Sequence, residues 1–182
     1  MTASSSAGVK PIVLAYSGGL DTSFLVPWVA ENTGRPVITV TVDSGGIDAD
    51  AARVLGERSK ALGAIGHHQI DARADYFEQV LRFLIIGNVR RGNLYPLCVG
   101  AERVMQAQTI ARVAHDLGTN MIAHGCTAAG NDQVRFEVAL RTLAPDLDIF
   151  APVRDRTFSR QEELDYLKAR NLPIPPHGAA YS

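Results

Sequence analysis

Residues 11–23 read PIVLAYSGGLDTS, and this stretch decides the fold. Its apolar start is typical of a buried strand, and Ser17, Gly18 and Gly19 follow directly. The residues after them are predicted to open a helix, so backbone N–H groups and the positive end of a helix dipole meet at one place. That place favours phosphate, and the glycines let phosphate oxygens approach the backbone. The loop has no lysine and so differs from the G-x-x-x-x-G-K-[ST] nucleotide loop.

Side chains of the same loop also suit a phosphate ligand. Ser17, Thr22 and Ser23 supply hydroxyl donors, and the carboxylate of Asp21 can hold Mg²⁺. The alternative interpretation is a glycine turn before an ordinary helix. The strand–loop–helix context favours the phosphate site.

The composition is that of a globular protein and excludes several function classes. The 182 residues are 46% hydrophobic and 20% charged, with a formal net charge of −1, so no global field attracts nucleic acid or anionic lipid. No stretch has the length of a membrane span. The two cysteines lack metal-type spacing and favour a reducing compartment, and residues 1–8 resemble a disordered tail, not a signal peptide. We therefore expect a cytoplasmic protein.

Strand and helix patterns alternate along the chain. Strands are predicted at residues 11–16, 36–42, 67–70, 121–124 and 148–151, and helices at 22–31, 49–62, 76–86, 102–117, 134–143 and 159–169. This alternation predicts an α/β fold with a doubly wound parallel five-stranded sheet and helices on both faces. Residues 9–172 would form this one nucleotide-binding domain. Ligands bind such sheets beyond the carboxyl ends of the strands, so the loops after the first and fourth strands are expected to face one site.

A second polar motif, HGCTAAGNDQVRFE, occupies residues 124–137. Asn131 or Asp132 lies three or four residues before Arg135, so these side chains share one helix face. An arginine beside an amide and an acid suits a carboxylate or zwitterionic ligand. The alternative is a helix N-cap with an Asp132–Arg135 surface pair, and spacing alone leaves both open.

The two motifs together resemble one enzyme family. SGGLDTS resembles the pyrophosphate loop of the ATP pyrophosphatases, and with HGCT and GNDQVRFE it closely resembles the argininosuccinate synthases. Further landmarks of that family match in order at residues 95–97, 151–154 and 173–182. The resemblance covers residues 9–182 and implies a Rossmann-like, adenine nucleotide alpha hydrolase-like fold. The family continues into a synthetase domain, and residues 173–182 would begin the connection to it.

The resemblance implies an activity and its partners. Argininosuccinate synthases join L-citrulline to L-aspartate with ATP, through citrullyl-AMP, and release AMP and pyrophosphate. They use ATP with Mg²⁺ and form homotetramers, and they bind neither nucleic acid nor membranes.

The resemblance also implies roles for individual residues. The matching ATP-binding positions are Ala15, Tyr16, Ser17, Gly18, Gly19, Leu20, Asp21, Thr22, Ser23, Val42 and Gly125. The matching aspartate-binding positions are Thr127, Asn131 and Asp132, and the matching citrulline-binding positions are Tyr95, Asn131, Arg135 and Ser182. Asp21 is the implied Mg²⁺ ligand, and no residue, His124 included, is assigned a catalytic role.

The sequence departs from the family pattern at three places. Ala128-Ala129 replaces Gly-Lys, Gly100 stands where a citrulline-contacting serine is usual, and Val104 replaces a proline. Two other functions therefore stay open. One is another pyrophosphate-loop adenylating enzyme, similar to GMP synthetase or a tRNA-thiolating enzyme. The other is a nucleotide-binding module without catalytic activity.

Overall fold

A five-stranded parallel sheet forms the centre of the fold. The structure is a computed structural model, and it describes residues 9–128 and 130–176. The strands are β1 (Ile12–Ala15), β2 (Val37–Asp43), β3 (Gly66–Asp71), β4 (Arg90–Arg91), β5 (Tyr95–Pro96), β6 (Met121–Ala123) and β7 (Asp148–Phe150). The helices are α1 (Leu20–Thr33), α2 (Ala49–Ala61), α3 (Arg73–Tyr76), α4 (Arg82–Ile86), α5 (Cys98–Asp116), α6 (Asp132–Leu143), α7 (Pro152–Arg156) and α8 (Arg160–Ala169), with a π-helical segment, Phe77–Leu81, between α3 and α4. The predicted tail at residues 1–8 and most of the predicted connection, residues 177–182, lie outside the described residues.

The strand order confirms the predicted doubly wound sheet. The order is β3-β2-β1-β6-β7, and every neighbouring pair in this sheet is parallel. The chain moves outward from β1 to β3 and then crosses to β6 and β7 on the other side of β1. Its winding direction therefore reverses between β1 and β6, which is where sheets of this kind bind ligands.

Side chains of β1 alternate between two hydrophobic cores. Ile12 and Leu14 pack on the side that holds α1 and α8, whereas Val13 packs on the side that holds α5 and α6. All three side chains are fully buried. Burial on both faces explains why this strand is an uninterrupted apolar run and confirms that helices cover both faces.

Local sequence signals mark the ends of several helices. The Asp48 carboxylate accepts a hydrogen bond from the Ala51 N–H at 2.8 Å and begins α2. Gly34 adopts a left-handed conformation, with φ of 65°, and ends α1. Ser159 and Glu162 form the reciprocal capping box of α8.

Four features of the structure differ from the sequence prediction. Helix α5 begins at Cys98 and not at Glu102, and the predicted helix at 76–86 is a composite that begins at Arg73. The antiparallel β4–β5 hairpin and the short helix α7 were not predicted. Strands of two residues and a five-residue helix are too short to produce a hydrophobic period.

Among the described residues, no helix has both the length and the apolar character needed to cross a membrane.

Candidate functional site

A cavity of about 920 Å³ lies beyond the carboxyl ends of β1 and β6, where the winding direction of the chain reverses. Its walls come from the loops after β1, β2 and β6 and from α5 and α6. It brings together most of the site residues implied by the sequence, namely Ala15, Tyr16, Ser17, Gly19, Asp21, Thr22, Val42, Tyr95, Gly125, Thr127, Asn131, Asp132 and Arg135. Ser182 lies outside the described residues, and so does Ala129 of the altered Gly-Lys pair.

The loop before α1 presents hydroxyl and N–H groups to this cavity. The Ser17 and Thr22 hydroxyl oxygens are 3.2 Å apart, and the Gly19 N–H donates to Ser17 Oγ at 3.4 Å. Gly19 is the N-cap residue of α1, and no side-chain cap bonds to the N–H groups of the first turn. The N-terminus of α1 therefore keeps donors available for an anion.

Three residues of the implied ATP loop do not line the cavity. Gly18 has φ of 76°, and a Cβ there would lie 2.2 Å from Leu55 Cδ2 on α2. The missing side chain of Gly18 therefore makes room for α2. Leu20 lies in the core, with 1% of its surface exposed. The Ser23 side chain is fully buried and does not line the cavity.

Gly125 brings the loop after β6 against the start of α1. A Cβ at this position would lie 3.1 Å from Thr22 Cγ2 and 3.4 Å from the Asp21 Cβ. The first of these contacts is tighter than ordinary van der Waals packing. The absence of a side chain at Gly125 therefore lets the two polar loops share one site.

Asp21 faces the cavity beside a second acid. Glu163 of α8 is 1% exposed, and no N–H or hydroxyl among the described residues donates to its carboxyl oxygens. Burial, and then the negative charge of Asp21, raises the pKa of Glu163 to about 8. Glu163 is therefore mostly neutral at pH 7. The Asp21 carboxylate on the cavity wall fits Mg²⁺, which is usually held by one or two carboxylates and substrate phosphates.

The polar motif at the start of α6 forms an ion-pair cluster. Arg135 Nη1 donates to Asp132 Oδ1 at 3.0 Å, as the surface-pair alternative expected. Arg103 Nε donates to the other carboxylate oxygen at 3.2 Å. Asn131 occupies the N-cap position without a side-chain cap bond, so its amide is not used to begin the helix. The cluster places two guanidinium groups and an amide at one end of the cavity.

Sequence reasoning missed the contribution of α5. Glu102, Arg103 and Gln106 line the cavity and bond in series: Gln106 donates to Glu102 at 3.1 Å, and Arg103 donates to Gln106 at 2.8 Å. The Ser44 hydroxyl, after β2, donates to the same Glu102 carboxylate. Gln106 lies four residues after Glu102 and three after Arg103, so it can bond to both, and that spacing was the signal available in the sequence.

His124 ends β6 as a buried, neutral side chain. It is 1% exposed, and burial, followed by the positive charge of Arg154, lowers its pKa to about 4. Its Nδ1 accepts a hydrogen bond from the Cys126 N–H at 3.3 Å, which shapes the loop. Arg154 forms an ion pair with Glu137, so the landmark at 151–154 supports the helix of the second motif.

Comparison with known proteins identifies the family. Residues 11–173 match the model of the arginosuccinate synthase N-terminal HUP domain. The chain is 43% identical over 175 residues to the argininosuccinate synthase of Pyrobaculum aerophilum, an alignment that covers 96% of this chain and 44% of that protein. It is also 43% identical over 165 residues to the enzyme of Lactiplantibacillus plantarum, covering 90% of this chain and 39% of that protein.

The match covers nearly all of this chain but less than half of the length of each relative. The argininosuccinate synthase of Staphylococcus aureus is 42% identical over 175 residues, with 95% of this chain and 43% of that protein aligned. The chain thus spans about two fifths of the length of the curated relatives it matches. On the extent of these matches, the chain belongs to the arginosuccinate synthase N-terminal HUP domain family.

Proposed function

We propose that this chain is the ATP-binding domain of an argininosuccinate synthase. The whole protein would adenylate L-citrulline with ATP and condense it with L-aspartate, giving argininosuccinate, AMP and pyrophosphate in arginine biosynthesis. The observation that carries this proposal is the meeting of the two motif loops, after β1 and β6, in one cavity. Membership of the family supports the same activity.

ATP would lie along the carboxyl ends of β1 and β2. Its phosphates would contact the N–H groups of the first turn of α1 together with the Ser17 and Thr22 hydroxyls. Adenine would lie beside Val42, which lines the cavity at the end of β2. Gly125 would complete the nucleotide site from the loop after β6.

Mg²⁺ would bind at Asp21, where it would neutralise charge on the phosphates. The Asp21 carboxylate lies on the cavity wall. Glu163 lies behind it and, being mostly neutral, adds little second charge at pH 7. The chain itself contributes orientation: α1 and α8 hold this carboxylate on the phosphate side of the cavity.

The two amino-acid substrates would occupy the α6 end of the cavity. Thr127, Asn131 and Asp132 are proposed to bind aspartate, and Asp132 suits its ammonium group. Tyr95, Asn131 and Arg135 are proposed to bind citrulline, with Ser182 as a further contact outside the described residues. Because no described residue is needed as a nucleophile, the chain would act by holding reactants in line and by neutralising charge.

Two alternative functions make different demands on the chain. A tRNA-directed adenylating enzyme would need a basic surface, and the net charge of the chain is −1. A non-catalytic nucleotide-binding module would bind ATP without using citrulline or aspartate.

The whole protein is proposed to be a homotetramer, as in the family.

The test is an assay of the full-length protein that contains this domain. Pyrophosphate and argininosuccinate should appear together when ATP, Mg²⁺, citrulline and aspartate are all present. Omission of aspartate should stop argininosuccinate formation. Binding of ATP with no pyrophosphate release under the complete conditions would contradict the proposal and support the non-catalytic module.

A further inference from the structure

Arg58, in the last turn of α2, contacts the outer side of residues 17–19, the loop before α1 that we propose binds phosphate and call the phosphate loop. Its Nη1 donates to the Gly18 carbonyl oxygen at 3.2 Å, and the side chain is partly buried. No carboxylate among the described residues lies within ion-pair distance of this guanidinium. Arg53, five residues earlier, instead pairs with Glu57 on the exposed side of α2. The charge of Arg58 is thus directed at a backbone carbonyl.

The carbonyl that Arg58 contacts determines where the next N–H group points. No described peptide bond is cis, so the C=O and N–H of the Gly18–Gly19 peptide point in opposite directions. The carbonyl faces α2, and the Gly19 N–H therefore faces the inner side of the loop, where Ser17 Oγ accepts it at 3.4 Å. Gly19 and Ser17 line the cavity, whereas Gly18 does not.

A peptide between two glycines needs such a constraint. Glycine occupies positive and negative φ values with similar ease, so the Gly18–Gly19 peptide can rotate at low cost. A rotated peptide would present its carbonyl oxygen to the cavity and would repel a phosphate. A hydrogen bond from a charged donor is stronger than a neutral one and opposes this rotation.

We propose that Arg58 is a positioning residue for the ATP phosphates, because it holds the Gly18 carbonyl outward and thereby directs the Gly19 N–H into the cavity. This inference rests on the proposed function, since it assumes that the cavity receives phosphate. Arg58 does not line the cavity and acts through the peptide that it contacts. Helix α2 thus becomes a part of the ATP site without touching the nucleotide.

The experiment compares Arg58→Met, Arg58→Lys and Arg53→Met with the wild-type 182-residue chain. Calorimetric titration measures the affinity for ATP·Mg²⁺ and, separately, for adenosine. Arg58→Met should lose about tenfold in ATP affinity, the equivalent of one charged hydrogen bond, and should keep its adenosine affinity. Arg58→Lys should recover most of the loss, and Arg53→Met, the matched control, should bind as wild type does.

An amide spectrum of the nucleotide-free proteins separates positioning from simple charge attraction. The ¹⁵N–¹H resonance of Gly19 should shift in Arg58→Met and stay in place in Arg53→Met. Unchanged ATP affinity in Arg58→Met, or reduced affinity with an unmoved Gly19 resonance, would overturn the proposal for Arg58 alone. Absence of ATP binding by the wild-type chain would instead contradict the proposed function. If Arg58→Met does not fold, Arg58→Gln takes its place in both measurements.

Discussion

Neighbouring glycines of the phosphate loop have different roles. Gly18 has a left-handed backbone and makes room for Leu55, whereas Gly19 has φ of −72° and faces the cavity. A Cβ at Gly19 would meet only Ser17 Oγ, at 3.4 Å. Both glycines belong to the same motif, but only the second leaves space on the ligand side.

Gly19→Ala should weaken ATP binding with little loss of stability. Its backbone is compatible with alanine, and the added methyl group occupies the phosphate side of the loop, so we expect at least about a tenfold loss of ATP affinity. Gly18→Ala should lower stability by roughly 1–2 kcal/mol or more, since alanine is strained at this φ and collides with Leu55. Thermal unfolding with and without ATP·Mg²⁺ checks both variants. A large loss of stability in the nucleotide-free Gly19→Ala would contradict the assignment.

Arg135 is expected to bind a substrate carboxylate in addition to its contact with Asp132. In the full-length protein, Arg135→Lys should reduce kcat/KM for citrulline by at least about tenfold, because an ammonium cannot reproduce a bidentate guanidinium contact. The KM for ATP should stay unchanged. Arg141→Lys is the matched control, since Arg141 lies on the same helix and pairs with Glu137. Equal citrulline kinetics in the two variants would leave Arg135 as a surface ion pair.

At the scale of elements, the packing of α8 on α1 creates the acid pair behind the phosphate loop. Glu163 is buried on α8, and its carboxyl meets Asp21 in the first turn of α1. The charged groups that act on it are Asp21, Arg160 and Glu162. An acid with a raised pKa binds a proton more tightly in the folded chain than in the unfolded chain, so its contribution to stability falls as the pH rises.

Stability should therefore fall as the pH rises toward 8, the raised pKa of Glu163. His124 has the opposite effect, but only between about pH 4 and its ordinary pKa of 6.5. Between pH 6.5 and 8, Glu163→Gln should gain up to about 2 kcal/mol relative to wild type, at about 1.4 kcal/mol per pH unit. Urea unfolding at the two pH values measures the change.

Glu31→Gln is the control for this measurement. Glu31 is exposed, and its hydrogen bonds with Arg170 and Tyr166 lower its pKa, so it titrates below the tested window. This variant should follow the pH dependence of wild type. If the stability difference between Glu163→Gln and wild type is the same at both pH values, Glu163 does not carry a raised pKa.

At the scale of the whole molecule, the α6 end of the cavity, where we propose that the two amino acids bind, is open to solvent. Tyr95 is 52% exposed, and the side chains of Asp132 and Arg135 are 45% and 40% exposed. Gly100 lies beside Arg135 and offers no hydroxyl group: even a Cβ there would be 3.5 Å from Arg135 Nε. The described residues thus leave the proposed amino-acid sites open to solvent.

The 182 residues on their own should bind ATP·Mg²⁺ but should form argininosuccinate at least about a hundredfold more slowly than a full-length relative. Looser positioning by about 1 Å has an effect of this size, and water in an open site weakens electrostatic stabilisation. Parallel assays of pyrophosphate and argininosuccinate make the comparison. Turnover within about tenfold of the full-length enzyme would show that the described cavity is sufficient.

The sequence by itself determined the class of fold and the two motifs of the site. The signals used were local: the hydrophobic period, glycines at helix ends, and the caps at Asp48 and Ser159. Each of them depends on only a few neighbouring residues. Strand–helix alternation then implies a parallel sheet whose carboxyl ends share one edge. For this reason the meeting of the loops after β1 and β6 was predictable.

Only the tertiary structure decided which side chains meet across elements. The contacts of Arg58 with Gly18, of Glu163 with Asp21 and of Arg154 with Glu137 each join residues on different elements. The direction in which each glycine of the loop faces depends on what packs behind it. Local patterns carry no information on these distances, because they arise from how the helices pack on the sheet and not from the period of any single element.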